Sequence, residues 1–180
     1  MLTYKNPKAK PCEVCERLFV PDRMGQVVCR PACAMKKVRK EKAQERAQVR
    51  SRKEAIKTLA DLKREAQTAL NRWIVQVRDA DKPCISCGRH HEGQWHAGHY
   101  LSRGAAPQHA LNPLNVHKQC APCNTYLHGN QAAYRIRLVE LIGLEKVDAL
   151  ESDNAARKWT REELIAIRDT YKAKLKEMRK

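Results

Sequence analysis

Apolar residues are sparse along this chain and gather in a few short patterns. Neither Gly nor Pro occurs between Ala34 and Lys82, and the stretch reads as one long helix over residues 34–78. Its first half, KKVRKEKAQERAQVRSRKE, is almost wholly polar. Its second half carries Ile56, Leu59, Leu62, Ala66, Leu70, Trp73 and Val77 at intervals of three and four, the spacing of one apolar helix face. That face is expected to pack against a neighbouring part of the chain or against a second copy. Its heptads are too few and too irregular for a sustained coiled coil.

Two more helices are predicted near the C-terminus. Residues 131–147 place Tyr134, Leu138 and Leu141 on one face, with Gly143 near the end. After a polar connection, ESDNAARK, the sequence TREE from Thr160 to Glu163 is a capping box. It opens a helix carrying Leu164, Ile167, Tyr171, Leu175 and Met178.

Strand signals are short. Between Cys15 and Cys29 the stretch ERLFVPDRMGQVV predicts a small hairpin, with Leu18, Val20, Val27 and Val28 set around Pro21 and Gly25. WHAGHYLSRG reads as a strand leading into a loop, and NPLNVHKQC contains a second strand. CAPCNTYLHGN begins a short helix that stops near Gly129. The expected class is α+β and predominantly helical. Four segments follow: a cysteine-bearing module at 1–33, a basic helix at 34–78, a strand–loop–strand–helix module at 79–130, and C-terminal helices at 131–180.

Composition narrows the function. One Phe, 5% aromatics and 31% charged residues leave little for a large core, so small modules need other staples. A net charge of +16 attracts polyanions, nucleic acid before an anionic membrane. No run of 18 apolar residues and no apolar leader occurs, so a soluble cytoplasmic protein with no membrane partner is expected. Residues 34–72 hold 13 Lys/Arg and 5 Asp/Glu, a net of +8. Lys36, Lys37, Arg39, Lys40, Lys42, Arg46, Arg50, Arg52 and Lys53 are the candidate phosphate contacts. A plain solvated face is the alternative.

In a reducing compartment, eight paired cysteines point to metal rather than disulfides. Cys12-x2-Cys15 with Cys29-x3-Cys33 forms one quartet, and Cys84, Cys87, Cys120 and Cys123 form another. Four thiolates saturate a tetrahedral Zn2+ and leave no position for water or substrate. Both zincs are therefore expected to be structural, and chemistry must come from other side chains. His99 lies in an apparent strand. Asn124 and His128, four apart on a predicted helix, would share a face and could grip a divalent ion opposite His99. A neutral imidazole base beside a divalent ion is what phosphodiester hydrolysis needs.

The pattern CISC … GHY … NPLNVHKQCAPCN resembles the HNH endonucleases of the ββα-metal type with a four-cysteine zinc. Over nearly the whole chain, KPCEVC, ALNRWIVQVRDADKPCISCG, AGHYLSRG, LNVHKQCAPCN and GN…YR…L…G resemble the phage NinG family, which includes the lambda recombination nuclease Rap. The resemblance implies a structure-selective DNA endonuclease for branched recombination intermediates, such as Holliday junctions and D-loops, in the cytoplasm of a bacterial host. It implies His99 as general base, Asn115 as the residue that holds the loop and orients that base, and Asn124 and His128 as ligands of Mg2+ or Mn2+. Arg103, just after the base strand, is a candidate contact to the scissile phosphate.

One departure stands out. Many HNH enzymes carry an Asp or His ligand immediately before the base, and here that position is Gly98. His96 replaces it only if a bulge at Ala97–Gly98 breaks strand alternation. His117 faces either the base or the surface, and His90, His91 and His109 are expected on the surface. A homodimer, joined through the Ile56–Val77 stripe, would place two active sites on a two-fold junction. Phage or host recombination proteins are further expected partners. The rival readings are a non-catalytic, zinc-stapled nucleic-acid adaptor and a protein-interaction module.

Overall fold

In the computed structural model, which describes residues 8–178, the helix expected over residues 34–78 is broken. Helix α1 spans Pro31–Ala55 and helix α2 spans Leu59–Trp73. Between them Thr58 caps α2. Its hydroxyl accepts from Asp61 N at 3.1 Å, and Asp61 Oδ2 accepts from Thr58 N at 3.1 Å. This reciprocal box starts a new helix without any Gly or Pro to end the old one. The chain divides at the same point into two compact units, residues 1–57 and 58–180.

In the first unit, strand β1 (Lys10–Pro11) pairs antiparallel with β2 (Leu18–Phe19). The hairpin thus encloses the first cysteine pair instead of lying between the two pairs, as the sequence suggested. Arg30 is extended at the head of α1, Pro31 takes an early helical position where its missing N–H costs nothing, and Cys33 falls in the first turn. Cys33 is the one buried residue of α1; the rest is a polar helix with no apolar face to bury.

The second unit is built around a two-stranded ladder. α2 runs into a π-helical turn, Ile74–Arg78. Strand β3 (Trp95–His99) then pairs antiparallel with β4 (Val116–Cys120), in register from Trp95↔Cys120 to His99↔Val116. Helix α3 (Gln131–Ile142) and helix α4 (Leu144–Ser152) follow, parted by Gly143 at φ +89°. Only glycine adopts that backbone without strain, and it splits the helix expected over residues 131–147. Helix α5 (Arg161–Glu177) opens on the predicted capping box of Thr160 and Glu163.

Alternation along the ladder feeds two cores. Ala97 and Val116 join Leu62, Ala66, Leu70, Ile74, Leu111 and Leu164, where α2 packs on α5. Gly98 and His117 face the other way, toward Tyr134 of a second cluster with Tyr100, Leu138 and Val147. Leu62, Leu70, Ile74 and Leu164 are at most 1% exposed, and each such burial contributes about 2 kcal/mol. This corrects the expected dimer contact. The inner part of the stripe is consumed inside the chain, while its outer members Ile56 and Leu59 are 80% and 51% exposed. Among the described residues no helix is long and apolar enough to cross a membrane.

Candidate functional site

The site rests on a thiol cluster. The sulfurs of Cys84, Cys87, Cys120 and Cys123 all lie within 4.8 Å of one another, with Cys87 and Cys120 at 4.0 Å. A tetrahedral zinc with 2.3 Å bonds sets sulfurs about 3.8 Å apart, so the quartet fits the ion. Donors already point at the sulfurs: Cys120 N to Cys84 at 3.4 Å, and Asn130 Nδ2 to Cys123 at 3.7 Å. Cys12, Cys15, Cys29 and Cys33 meet the same test, with Cys29 3.5 Å from Cys15 and 3.8 Å from Cys33. Among the described residues these are the two groups of three or more His, Cys, Asp or Glu placed to hold a metal. His91, expected on the surface, sits with Nε2 3.2 Å from the Cys87 sulfur.

A buried carboxylate ties this cluster to the ladder. Asp79, 2% exposed, pairs with Arg78 at 2.6 Å and Lys82 at 2.9 Å and accepts from Lys118 N at 3.2 Å. Arg78 also donates to the carbonyls of Pro113 and Val116. Burial alone would raise the Asp79 pKa, but the two cations outweigh it and hold the carboxyl at about 2. The sequence reading missed this anchor; the run RDADK was its only trace.

His99 ends β3, half-buried, with Nε2 3.1 Å from the carbonyl oxygen of Ala110. A carbonyl only accepts, so Nε2 carries the proton and Nδ1 keeps the lone pair. Burial drives the His99 pKa below 6.5. The Ala110 carbonyl resists, the Arg103 cation lowers it further, and the Ala97 carbonyl resists in turn. The ring is therefore neutral near pH 7. The amide of Gln67, on α2, lies 3.4 Å from the same Nε2 and bonds Asn71 at 2.8 Å. Gln67 is a second contact that the sequence did not reveal, because its neighbours on α2 read as core.

Asn115 is fully buried and holds the loop between the strands. Its Oδ1 accepts from Leu101 N at 2.8 Å, and its Nδ2 donates to the carbonyls of Leu101 at 2.9 Å and His109 at 3.2 Å. The residue before Ala110 is thereby fixed. Arg103 is exposed on that loop. It lines a cleft of about 480 Å³ together with Ala110 and, from α2, Lys63, Arg64, Gln67 and Asn71. Three cations thus line a groove whose Gln67 and Ala110 touch His99.

The remaining candidates are dispersed. The β3–β4 ladder is regular, so the bulge required for His96 is absent. His96 pairs with Gln119 on the face opposite His99. A Cβ at position 98 would lie 2.1 Å from Gln119 Oε1, so Gln119 occupies the side-chain space there. Its Nε2 is fixed by Ser86 and the Gly129 carbonyl, each at 2.6 Å. The helix expected to carry Asn124 and His128 is only a π-helical turn, Pro122–Tyr126. Asn124 is half-buried on it, whereas His128 lies beyond it, exposed at φ +48°. The shared helical face is therefore not formed: Gly129 and Asn130 also adopt positive φ before α3 starts.

His117 and His109 are both buried, which for His109 corrects the surface expectation. Tyr134 Oη donates to Gly98 O at 3.1 Å and lies 3.0 Å from His117 Nδ1. Burial, then the Arg78 cation, drive the His117 pKa down to about 3. In the first unit, eight of the nine basic candidates on α1 are exposed. The ninth, Lys37, is engaged by Glu13 and, at 3.9 Å, by Glu41.

Comparison with known proteins finds relatives over nearly the whole chain. The family model described as the bacteriophage lambda NinG protein matches residues 4–180. The NinG protein of Salmonella phage P22 is 39% identical, covering 93% of this chain and 91% of its own. That of Escherichia phage lambda is 39% identical, over 92% and 90%. That of Escherichia phage 933W is 37% identical, over 96% and 95%. No solved structure matches. The chain belongs to the phage NinG family.

Proposed function

We propose that this protein is a metal-dependent DNA endonuclease of the HNH, ββα-metal type that cuts branched recombination intermediates such as Holliday junctions and D-loops. The observation that carries the reading is the His99–Ala110 contact. It commits Nε2–H to a carbonyl and leaves Nδ1 as the basic atom, and the two residues that touch Nε2, Ala110 and Gln67, line a groove with Lys63, Arg64 and Arg103. In this reading His99 takes the proton from the attacking water, and the groove cations hold the phosphate. Asn115 keeps the loop carbonyls where the imidazole needs them. The order hairpin, zinc knuckle, helix α3 also follows the ββα plan.

In this reading Asn124 and His128 are the candidates to hold Mg2+ or Mn2+, although the helix face that was to bring them together is not formed, and His96, on the face of β3 opposite His99, drops in rank. The Asn124 amide oxygen suits a hard ion that keeps most of its water and takes phosphate oxygens, whereas the His128 imidazole is a softer donor. When bound, such an ion offsets charge on the phosphate and the leaving oxygen. The exposed cations of α1 contribute further phosphate contacts.

The second reading is a non-catalytic, zinc-stapled adaptor. It is favoured by one observation: among the described residues no trio of His, Asp or Glu gathers near His99. Incubation with a four-way junction and a matched linear duplex, with and without Mg2+, decides between them. Mg2+-dependent cutting of the junction by wild type but not by His99→Ala supports the nuclease. Binding without cutting by either supports the adaptor.

A further inference from the structure

The segment that carries Ala110 borders a second space. Ala110 lines the cleft beside His99, while His109, Leu111 and Asn112 line a separate cavity of about 810 Å³. Its opposite wall is formed by the connection before α5, with Arg157, Lys158 and Trp159, and by Tyr171 of α5. No residue of this wall has a place in the mechanism above.

Two polar atoms in the walls of this cavity are buried without a hydrogen-bond partner. The indole Nε1–H of Trp159 is buried and meets no acceptor, a costly state that folded proteins avoid. His109 Nε2 is likewise buried, with the Asp153 carboxylate 3.4 Å away but outside hydrogen-bonding geometry. The surroundings are those of a stacking site. Trp159 and Tyr171 both line the cavity; the Arg157 guanidinium covers one side of the Trp159 ring at 3.9 Å from its centre, Tyr171 packs on Trp73 at 5.0 Å between ring centres, and Lys158 stands next to Trp159. Arg157 also reaches Glu163 at 3.5 Å, which keeps it at the rim.

We propose that this cavity receives an unstacked nucleobase from the DNA strand whose phosphate lies in the groove beside His99. The inference rests on the nuclease reading and adds the source of its structure selectivity. A base brings a π-face to lie along the ring surfaces of Trp159 and Tyr171 that line the cavity. Arg157 and Lys158 meet the adjoining phosphates. Extrusion is cheapest where stacking is already broken, so a branch point or single strand fills the pocket at little cost and a perfect duplex does not. The segment 108–112 then acts as a shared wall, and seating the base sets the register of the strand against His99.

The test uses the full-length protein with Ca2+ in place of Mg2+, and reads anisotropy of a dye-labelled four-way junction and of a linear duplex. Trp159→Ala is expected to weaken junction binding about tenfold, in the range of one base–aromatic stack, and duplex binding less than twofold. Trp159→Phe keeps the ring and its packing but removes the N–H, and should show a smaller loss, again on the junction alone. Arg157→Gln, at the surface, should follow the same pattern. Equal losses on both DNAs, or no loss with Trp159→Phe and Arg157→Gln, would overturn the pocket. Cleavage is scored separately in Mg2+. Junction binding that depends on Trp159 without any cutting keeps the pocket and removes the nuclease. Cutting with binding indifferent to Trp159 does the reverse.

Discussion

His99 Nε2 and the carbonyl oxygen of Ala110 face each other at 3.1 Å, and that single contact selects the tautomer of the imidazole. With Nε2–H committed, Nδ1 is the basic atom. His99→Ala should therefore fold, retain its zinc and bind junctions as wild type does. It should lose cleavage by a factor of about 10² to 10⁴, the usual worth of a positioned base. Single-turnover cleavage with a zinc assay on the same sample checks it; full-rate cutting would remove His99 from the mechanism.

Burial first, and the Arg103 cation after it, lower the pKa of the proposed base, His99, below 6.5. A lowered pKa keeps the ring neutral down to more acid solution, so the acid limb of the rate profile should lie below pH 6.5. In Arg103→Gln the pKa rises, the ring protonates earlier, and the limb moves to higher pH. Rates at alkaline pH fall as well if Arg103 also holds phosphate. A limb that stays in place in this variant would show that the charge of Arg103 is screened from the ring.

Asn115 makes three hydrogen bonds from a fully buried side chain. Asn115→Ala strands a Leu101 N–H and two carbonyls, at a cost of about 3 kcal/mol. Asn115→Asp keeps one acceptor but turns an anion toward two carbonyl oxygens, so it should be no better. Denaturant melts measure the loss, and cleavage should fall with it as Ala110 loses its neighbour's anchor. A melting midpoint unchanged in both variants would mean that the loop is held elsewhere.

The zinc quartets and the last helix could be read directly, because Cys-x2-Cys spacing and a TREE box are local signals with one geometric meaning. The break before α2 was equally local, since TLAD from Thr58 is also a capping box, but the lack of Gly and Pro hid it. His99 and Asn115 were singled out by resemblance; what the structure adds is the Ala110 carbonyl against the imidazole and three hydrogen bonds from Asn115 within the loop. Gln67 and Trp159 were not legible: each takes its part from a partner far along the chain. Gly98 raised the right question. The answer, Gln119, is its diagonal neighbour across the ladder, and only the register shows it.

The two quartets should respond differently to chelation. The second unit has its own core, in which Leu62, Leu70 and Ile74 are buried whatever the metal does. In the first unit the buried residues among those described are Cys12, Pro21 and Cys33, so its fold before α1 depends on the ion. Binding free energies of about 10 kcal/mol or more for such sites exceed anything that apolar burial supplies there. Cys33→Ala should release one equivalent of zinc and strip hydrogen-exchange protection from residues 10–30, while α2 and α5 stay protected. Loss of protection throughout would show that the units fold as one.

Along α1, charge and engagement separate residues that the sequence placed together. Lys36, Arg39, Lys40 and Lys42 are exposed, whereas Lys37 is half-buried and paired with Glu13. Each phosphate of B-form DNA that a protein ceases to neutralise lowers the slope of log K against log salt by about 0.9. Replacing the four exposed cations by Gln should flatten the slope by about 3 to 4 if all of them touch phosphate. Lys37→Gln should change it by less than the step for a single phosphate, since reaching DNA from there first requires breaking the Glu13 pair. Binding isotherms at a series of KCl concentrations measure both. An unchanged slope in the fourfold variant would mean that the segment Lys36–Lys42 of α1 does not touch phosphate, leaving the electrostatics of binding to the cations farther along α1 or to Lys63, Arg64 and Arg103.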